Sequence, residues 1–262
     1  MICKNCKRLL PQQIQFCNGC GAKVIRNRLT MRNLFEDFAY RYLNYDNKFF
    51  QTIKTLFTKP EEVIESYVNG TRKKYVNPIS LFAINITLSG LYILIIKKYF
   101  SEAMDLSSFA MQETEGQAKL NESIMSSIYD YSSLISSIII PALALISIIV
   151  FYNKKFNYTE HLVVYLYTMS LFSMVSMLTS LIVLNINIEY FMTVSLLLYF
   201  LAFVYHCYVF KRLFHLNFKQ LLLKILLFIP IFFIGYIGVS LIGAIIYFIF
   251  SDISLKDFAP KT

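Results

Sequence analysis

The chain has 262 residues, of which 56% are hydrophobic and only 16% are charged, with 24 Phe and 19 Tyr. A soluble domain carries about 25% charged residues, and a disordered chain has more charge and far fewer aromatics. The composition therefore excludes both classes and predicts an integral membrane protein.

Charge is distributed unevenly along the chain, whose formal net charge is +9. Residues 1–78 hold fourteen Lys and Arg against six Asp and Glu, a net charge of +8, whereas residues 97–130 hold three against six, a net charge of −3. Such asymmetry is typical of membrane proteins, because cytoplasmic loops carry an excess of Lys and Arg. The first residues are polar and lack the apolar stretch of a secretory signal peptide, so we expect them in the cytoplasm.

Five stretches are apolar and long enough to cross a bilayer as helices, which requires about 20 residues. They are Ile79–Ile96, Tyr131–Tyr152, Leu162–Leu184, Tyr190–Phe210 and Ile225–Phe250. Their apolar runs are unbroken rather than alternating, which predicts helices and not strands. The predicted fold is an all-α integral membrane protein with about five transmembrane helices, a small amino-terminal zinc ribbon and cytoplasmic amphipathic helices.

Basic clusters beside the spans predict the orientation. The clusters are Arg72-Lys73-Lys74, Lys154-Lys155 and Lys211-Arg212. With five spans they lie on one side, opposite the acidic loop 97–130 and the tail 251–262, and only Lys97-Lys98 argues the other way. The amino terminus is therefore expected inside and the carboxyl terminus outside. Arg72, Lys73 and Lys74 are also candidates for contact with lipid headgroups or a partner.

These patterns predict a zinc ribbon at 1–25, a cytoplasmic amphipathic helical segment at 26–78, a five-span bundle at 79–250 with its outer loop at 97–130, and a tail at 251–262. The segment 26–78 is predicted to form short helices at 31–44, around 49–57, and from Pro60 to Gly70. Their apolar faces either pack on one another and on the protein's own cytoplasmic loops, or lie in the headgroup layer with basic residues toward phosphate.

Four cysteines near the amino terminus form two CxxC pairs. They are Cys3, Cys6, Cys17 and Cys20. Two such pairs supply the four thiolates of a tetrahedral Zn²⁺ site, whereas a reducing cytoplasm argues against disulfides. A site closed by four sulfurs has no open position, so the predicted zinc is structural rather than catalytic. Gly21 suits the turn after the second pair, and no repeat of fixed period is evident in the chain.

Three ionisable residues lie at the ends of predicted spans: Glu160, His161 and His206. If the third and fourth spans pack antiparallel, these side chains form a polar cluster that binds a metal, relays a proton or holds a headgroup. The alternative is that all three are solvated and only mark helix ends.

An ordered series of motifs resembles the DUF3667 family of uncharacterised bacterial inner-membrane proteins. The series comprises the cysteine pairs ending at Gly21, the stretch Leu43–Thr52, Lys59-Pro60, Tyr67–Tyr75, Asn77-Pro78 and Glu160-His161. The resemblance is strongest over residues 1–85. It implies a bacterial inner-membrane location and supplies no catalytic residues.

The function expected from these features is non-enzymatic recruitment or scaffolding through the zinc ribbon and the basic helices. The partners expected are membrane lipids, a cytoplasmic protein and a second copy of the chain, and the basic residues are better explained by headgroups than by nucleic acid. The alternative is a transporter or permease-like component for a small solute or lipid, motivated by Pro230 and by the polar cluster. An enzyme is not expected, because the spans show no nucleophile–base or paired-carboxylate site.

Overall fold

The structure is a computed structural model that describes residues 1–11, 14–22, 24, 30, 45–100, 127 and 131–250. The chain divides into two compact units, Met1–Asn47 and Lys48–Thr262. The helix predicted at 31–44, most of the outer loop 97–130 and the tail 251–262 lie outside the described residues.

Helices account for the regular structure of the described residues, as the sequence predicts. They are α1 (Tyr45–Thr58), α2 (Pro60–Val68), α3 (Pro78–Tyr99), α4 (Ser132–Val150), α5 (Tyr158–Ile186), α6 (Tyr190–Leu213) and α7 (Phe218–Phe250). In the same residues, pairing of extended backbone is limited to isolated bridges such as that between Ile2 and Leu9. The all-α class is therefore confirmed.

Four helices are long and apolar enough to cross a membrane: α3, α5, α6 and, over Phe218–Gly238, α7. The apolar part of α4, Leu134–Val150, is shorter. All five predicted spans thus coincide with helices, and a membrane protein is confirmed. That α4 also crosses the bilayer stays a prediction.

The bounds of α2 follow from local chemistry that the sequence displays. Pro60 occupies the first turn, where its missing N–H costs nothing, and Glu61 and Glu62 follow it at the positive end of the helix dipole. After the helix ends, Gly70 has a φ of 92°, a left-handed conformation that a side chain would strain. The predicted helix from Pro60 to Gly70 is therefore confirmed.

The core of the bundle surrounds the first half of α5. This helix packs against α3, α4 and α6. Its buried side chains concentrate between His161 and Met174, and only Ser180 and Leu184 are buried beyond that point. A helix buried on all sides needs neighbours on all sides, so the amino-terminal half of α5 is the axis of the packed region.

The pair α1–α2 packs against this axis. Leu56, Val63 and Ile64 are fully buried, and α2 contacts both α5 and α6. The segment predicted at 26–78 stays a prediction. Residues from Lys48 onward join the bundle unit because their apolar side chains are buried there. On the other face of α1, Phe50 stays 67% exposed beside the exposed Lys54 and Phe57, so the headgroup interpretation still applies to that face.

Hydroxyl groups of α6 bind the end of α1. Tyr205 Oη donates to the carbonyl of Leu56 at 2.8 Å, and Tyr208 Oη donates to that of Thr58 at 2.9 Å. The last four carbonyls of a helix have no partner within the helix, so these two bonds satisfy groups that would otherwise need water. They join elements that are about 150 residues apart in the chain.

An ion pair extends this contact by one helix turn. The Nε atom of Arg212 donates to Glu61 Oε1 at 3.0 Å. Partial burial tends to raise the pKa of Glu61, but the hydrogen bond and charge of Arg212 outweigh it and hold that pKa below its ordinary value.

The peptide group of Val76 is bound from both sides. Its N–H donates to Thr52 Oγ1 of α1 at 3.0 Å, and its carbonyl accepts from Tyr167 Oη of α5 at 2.7 Å. The Thr52 hydroxyl in turn donates to the Lys48 carbonyl at 2.6 Å. All three side chains at this junction, those of Thr52, Val76 and Tyr167, are buried. The segment that leads into α3 is therefore fixed to α1 and α5 at a single peptide.

Thr52→Val should lower the free energy of unfolding by about 1–3 kcal/mol, because it leaves the buried Val76 N–H without an acceptor while keeping the shape of the side chain. Thr58→Val is the matched control. Thr58 lies on the same helix and makes the same kind of bond to the carbonyl four residues earlier, but it is exposed. Its effect should stay within about 0.5 kcal/mol. Denaturant titration in detergent micelles measures both, and equal losses would contradict the account of Val76.

The Glu61–Arg212 pair predicts a dependence of stability on pH. The pKa of Glu61 is lower in the folded chain than in the unfolded chain, so the folded state binds fewer protons. Its contribution is present above the ordinary carboxyl pKa of about 4.3 and is lost as the pH falls through the lower, folded value. Wild type should therefore lose more stability than Glu61→Gln between pH 7 and pH 3.5 in denaturant titrations. Parallel curves for the two proteins would exclude this role.

Candidate metal centre and polar residues of the bundle

The four predicted cysteine ligands converge at one point of the amino-terminal unit. Their sulfur atoms all lie within 4.8 Å of one another, with Cys3 Sγ 3.7 Å from Cys20 Sγ and Cys6 Sγ 3.6 Å from Cys17 Sγ. Cys3 and Cys17 are buried, whereas Cys6 and Cys20 are exposed. The four cysteines that the sequence predicts as ligands thus lie together, and this group could hold a metal ion.

The sulfur spacing fits a tetrahedral ion. Metal–sulfur bonds of about 2.3 Å place tetrahedral sulfurs about 3.8 Å apart. The 3.6 and 3.7 Å separations are close to that value. Four sulfurs complete a tetrahedron, so a metal held here would have no position left for a substrate or a reactive water.

Backbone hydrogen bonds show that the module is an internal repeat with an offset of 14 positions, from Cys3 to Cys17. The bond from the Cys3 N–H to the Arg8 carbonyl corresponds to that from Cys17 to Ala22. The bond from Lys7 to Cys3 corresponds to that from Gly21 to Cys17, and the bond from Leu10 to Met1 corresponds to that from Val24 to Gln15. This repeat does not bear on the sequence, in which no repeat of fixed period is evident. The repeat is one of backbone geometry, and outside the cysteines the two copies share little sequence.

Each copy turns through one residue in the left-handed region. Gly21 has a φ of 69°, and Lys7, its equivalent, has a φ of 61°. This conformation brings the two sulfurs of each CxxC pair to the same side of the chain. The sequence indicated the turn at Gly21, but it gave no sign of the turn at Lys7, because a lysine rarely adopts it.

The pKa values of the neighbouring thiols move in opposite directions. A hydrogen bond from the Arg8 backbone lowers the pKa of Cys6, but the adjacent thiols of Cys20 and Cys17 outweigh it and raise that pKa to about 11. The pKa of Cys20 is lowered to about 6, chiefly by hydrogen bonds from the Asn5 side chain and the Ala22 backbone. Four thiolates so close together need a cation between them, which is what a bound metal ion provides.

The basic triplet predicted to contact headgroups or a partner is exposed. Lys74 Nζ donates to Glu62 Oε1 at 2.7 Å, and Tyr75 Oη donates to the same oxygen at 2.7 Å. The guanidinium of Arg72 lies 5.5 Å from the centre of the Tyr67 ring. These contacts order the triplet against α2, and its exposure leaves it available to a ligand.

The three residues of the predicted polar cluster each have a different partner. Glu160 accepts from the Asn157 N–H at 2.8 Å, while Asn157 Oδ1 accepts from the Glu160 N–H, which forms a capping box at the start of α5. His206 Nδ1 donates to the Ala202 carbonyl at 2.7 Å, and its Nε2 lies 3.0 Å from Thr168 Oγ1. Glu160 and His206 are thus each bound to residues outside the predicted cluster, and the cluster stays a prediction.

His161 is buried in an aromatic environment. Its Nδ1 lies 2.7 Å from Ser147 Oγ of α4, and its Nε2 is buried without a hydrogen-bond partner among the described residues. Four phenylalanine rings surround the imidazole: Phe151, Phe156, Phe210 and Phe214. The alternative that all three residues are solvated at helix ends is thus wrong for His161, which joins α4 to α5.

Two lysines have roles that the sequence did not indicate. Lys224 Nζ donates to the Val150 carbonyl at 2.6 Å and to Asn153 Oδ1 at 3.0 Å. Lys154 Nζ donates to the Phe214 carbonyl at 3.0 Å. Each lysine therefore binds the carboxyl end of another helix, α4 and α6 respectively, where cations are favoured. No sequence signal specifies such pairs, because the partners are distant along the chain.

These features together define a membrane protein with a helical bundle and an amino-terminal group of four thiols able to hold a metal ion. Residues 46–90 match the family described as Protein of unknown function (DUF3667), which confirms the resemblance seen in the sequence. The matched segment runs from α1 through α2 into α3 and contains both Thr52 and Val76. No curated protein and no solved structure matches the chain.

Gly21→Ala should weaken metal binding. A Cβ at this position meets no atom within 4 Å, so the cost is the left-handed backbone alone, about 1–2 kcal/mol. Because metal binding and folding are linked in such modules, the affinity should fall about 5- to 30-fold. Competition between the full-length protein and a chelator for Zn²⁺ measures the affinity.

Two control variants test whether the loss of affinity is specific to Gly21. Lys7→Gly removes a side chain from the equivalent left-handed position and should not weaken binding. Gly90→Ala, in α3, also places a Cβ where no atom lies within 4 Å, and it should have no effect. An unchanged affinity in Gly21→Ala, or a loss in Lys7→Gly, would contradict the proposed geometry.

Proposed function

We propose that the protein is a bacterial inner-membrane protein that recruits a cytoplasmic protein partner through a zinc-stabilised module at its amino terminus. The observation that carries this proposal is the surface of the module. Large apolar side chains and basic side chains are exposed together on this module, whose described residues form a small buried core.

The ion is proposed to be Zn²⁺ with a structural role. Soft thiolate ligands in a tetrahedral arrangement favour zinc among the metals that are abundant in cells. Among the described residues of the module, the buried core consists of Leu10 and the two buried cysteines, with Ile14 and Val24 packed against them. So small a core contributes little to folding, and a bound ion supplies what is missing.

The proposed docking surface is formed by Ile2, Leu9 and Phe16. Leu9 is 78% exposed, and Ile2 and Phe16 are each more than half exposed. Ile2 and Leu9 are bridge partners, so their side chains lie side by side. Adjacent exposed apolar side chains such as these two are typical of interaction sites, and Phe16 adds a third exposed apolar side chain to the same module. The neighbouring cations Lys4, Lys7 and Arg8 would favour an acidic rim on the partner.

The orientation is proposed from charge. Contacts described above gather α1, α2, the start of α5 and the ends of α4 and α6 at one end of the bundle. The three basic clusters lie at this same end, which supports a cytoplasmic location for it. The helix α4 has 19 residues and a length of about 28 Å, close to the hydrocarbon thickness of about 30 Å. A fifth span then places the carboxyl terminus outside.

Solute transport is less well supported. The cavity between α4, α5, α6 and α7 has a volume of about 100 Å³, whereas small-molecule sites usually occupy about 300–1,000 Å³. The side chains that motivated a transport site, Glu160, His161 and His206, are engaged with separate partners. We therefore retain recruitment as the proposed function.

Crosslinking in native membranes followed by mass spectrometry tests recruitment. A cytoplasmic protein should crosslink to the first unit, and removal of zinc with a membrane-permeant chelator should abolish the crosslink. The double variant Leu9→Ser/Phe16→Ser should lose it as well, at unchanged zinc content. Asn18→Ser, at an exposed position of the same module outside the apolar surface, should retain it. A crosslink that survives both the chelator and the double variant would refute docking through this surface.

Cysteine labelling tests the orientation. In a variant carrying Cys207→Ala, a membrane-impermeant maleimide added to intact cells should label Asn187→Cys, between α5 and α6. It should label Lys155→Cys, between α4 and α5, only after the membrane is opened. The reverse pattern would invert the proposed topology, and labelling of both positions from outside would show that α5 does not cross the bilayer.

A further inference from the structure

A narrow apolar cavity lies between α4, α5, α6 and α7. Its volume is about 100 Å³, and its lining includes Leu143, Tyr165, Met169, Phe203, Cys207 and Ile225. A water molecule takes up about 30 Å³ of liquid, and a cavity lined by apolar groups stays dry. This space therefore suits a short length of hydrocarbon better than a polar solute.

The cavity extends to the outer surface of the bundle. Phe203, one of its lining residues, is 38% exposed, and no described side chain of α7 is fully buried. In a membrane this surface faces acyl chains. The hydrocarbon available to fill the cavity is therefore a lipid chain from the surrounding bilayer.

One end of the cavity carries a positive charge. Lys224 lines it, and the lining contains no carboxylate. The acceptors that Lys224 Nζ contacts, the Val150 carbonyl and Asn153 Oδ1, are both neutral. Its ammonium also lies 5.6 Å from the centre of the Phe151 ring and 5.5 Å from that of Tyr152. These contacts orient the charge without neutralising it.

A second cation reinforces this positive end. Lys154, in the loop that follows α4, acts electrostatically on Lys224. Two positive charges beside an apolar cavity repel each other, and a shared anion relieves that repulsion. A lysine has three N–H donors, of which the structure assigns two at Lys224 to neutral acceptors, so one remains for a ligand.

The polar groups deeper in the cavity do not compete for a ligand. The ring nitrogens of His206 are engaged with Thr168 and Ala202, and Cys207 is a weak donor. The cavity thus combines an apolar length with a cationic end. This polarity matches an amphiphile that has an anionic head and a hydrocarbon tail.

We propose that this cavity binds an anionic phospholipid from the bilayer leaflet next to the loop between α4 and α5. A segment of one acyl chain occupies the space between α4 and α7, and the headgroup phosphate accepts a hydrogen bond from Lys224 in the field of Lys154. The inference stands apart from the recruiting role of the amino-terminal module, since it uses other residues and the other unit of the chain.

Native mass spectrometry of the full-length protein, released from detergent with added dioleoyl phosphatidylglycerol or dioleoyl phosphatidylcholine, tests the proposal. The phosphatidylglycerol adduct should be retained about tenfold better, because the choline cation of phosphatidylcholine offsets the phosphate charge and is repelled by Lys224 and Lys154. Lys224→Gln should remove this preference, and Lys224→Arg, which keeps the charge, should preserve most of it.

A matched variant distinguishes the site from general surface charge. Lys219→Gln removes an exposed lysine from the same end of the same helix and should leave the preference intact. Cys207→Phe, which fills the cavity, should reduce retention of both lipids. Equal retention of the two lipids by wild type, an unchanged preference in Lys224→Gln, or an equal loss in Lys219→Gln would each overturn the proposal.

Discussion

The structure depends on how one peptide group is held. Val76 donates to Thr52 and accepts from Tyr167, so residues 24 positions before it and 91 positions after it meet at the entrance to the first span. An unpaired buried backbone group would cost several times the net gain of an ordinary hydrogen bond. These two bonds therefore require α1 to pack next to α5. The burial of α2 against α5 and α6 follows from that packing.

This constraint gives the family match a physical meaning. The matched residues 46–90 contain the donor, the acceptor and the segment between them, but the Tyr167 side of the junction lies outside.

The first unit, with its four thiols, is organised differently. Its described residues bury a small apolar core beside four thiols that could hold a metal ion. The protein thus combines a packed helical bundle with a small unit in which four thiols converge.

Much of this organisation could be predicted from the sequence, because its signals are local. The CxxC spacing identified the four thiols that converge, and proline, glutamate and glycine fixed the ends of α2. Unbroken apolar runs located five helices. The rest depends on distant partners. The sequence near Thr52 does not indicate that its hydroxyl accepts from the Val76 N–H. A tyrosine in an apolar helix likewise does not indicate that its hydroxyl binds the carboxyl end of another helix. The separate partners of Glu160, His161 and His206 could not be predicted for the same reason.

Hydrogen exchange at the Val76 amide tests the central claim most directly. In nanodiscs this amide should exchange as slowly as those in the buried half of α5, because opening it requires α1 to leave the bundle. Neighbouring amides at Lys73 and Lys74, which are exposed, should exchange quickly. If Val76 exchanges at the rate of that loop, the peptide is not held, and α1 and α2 are only loosely associated with the spans.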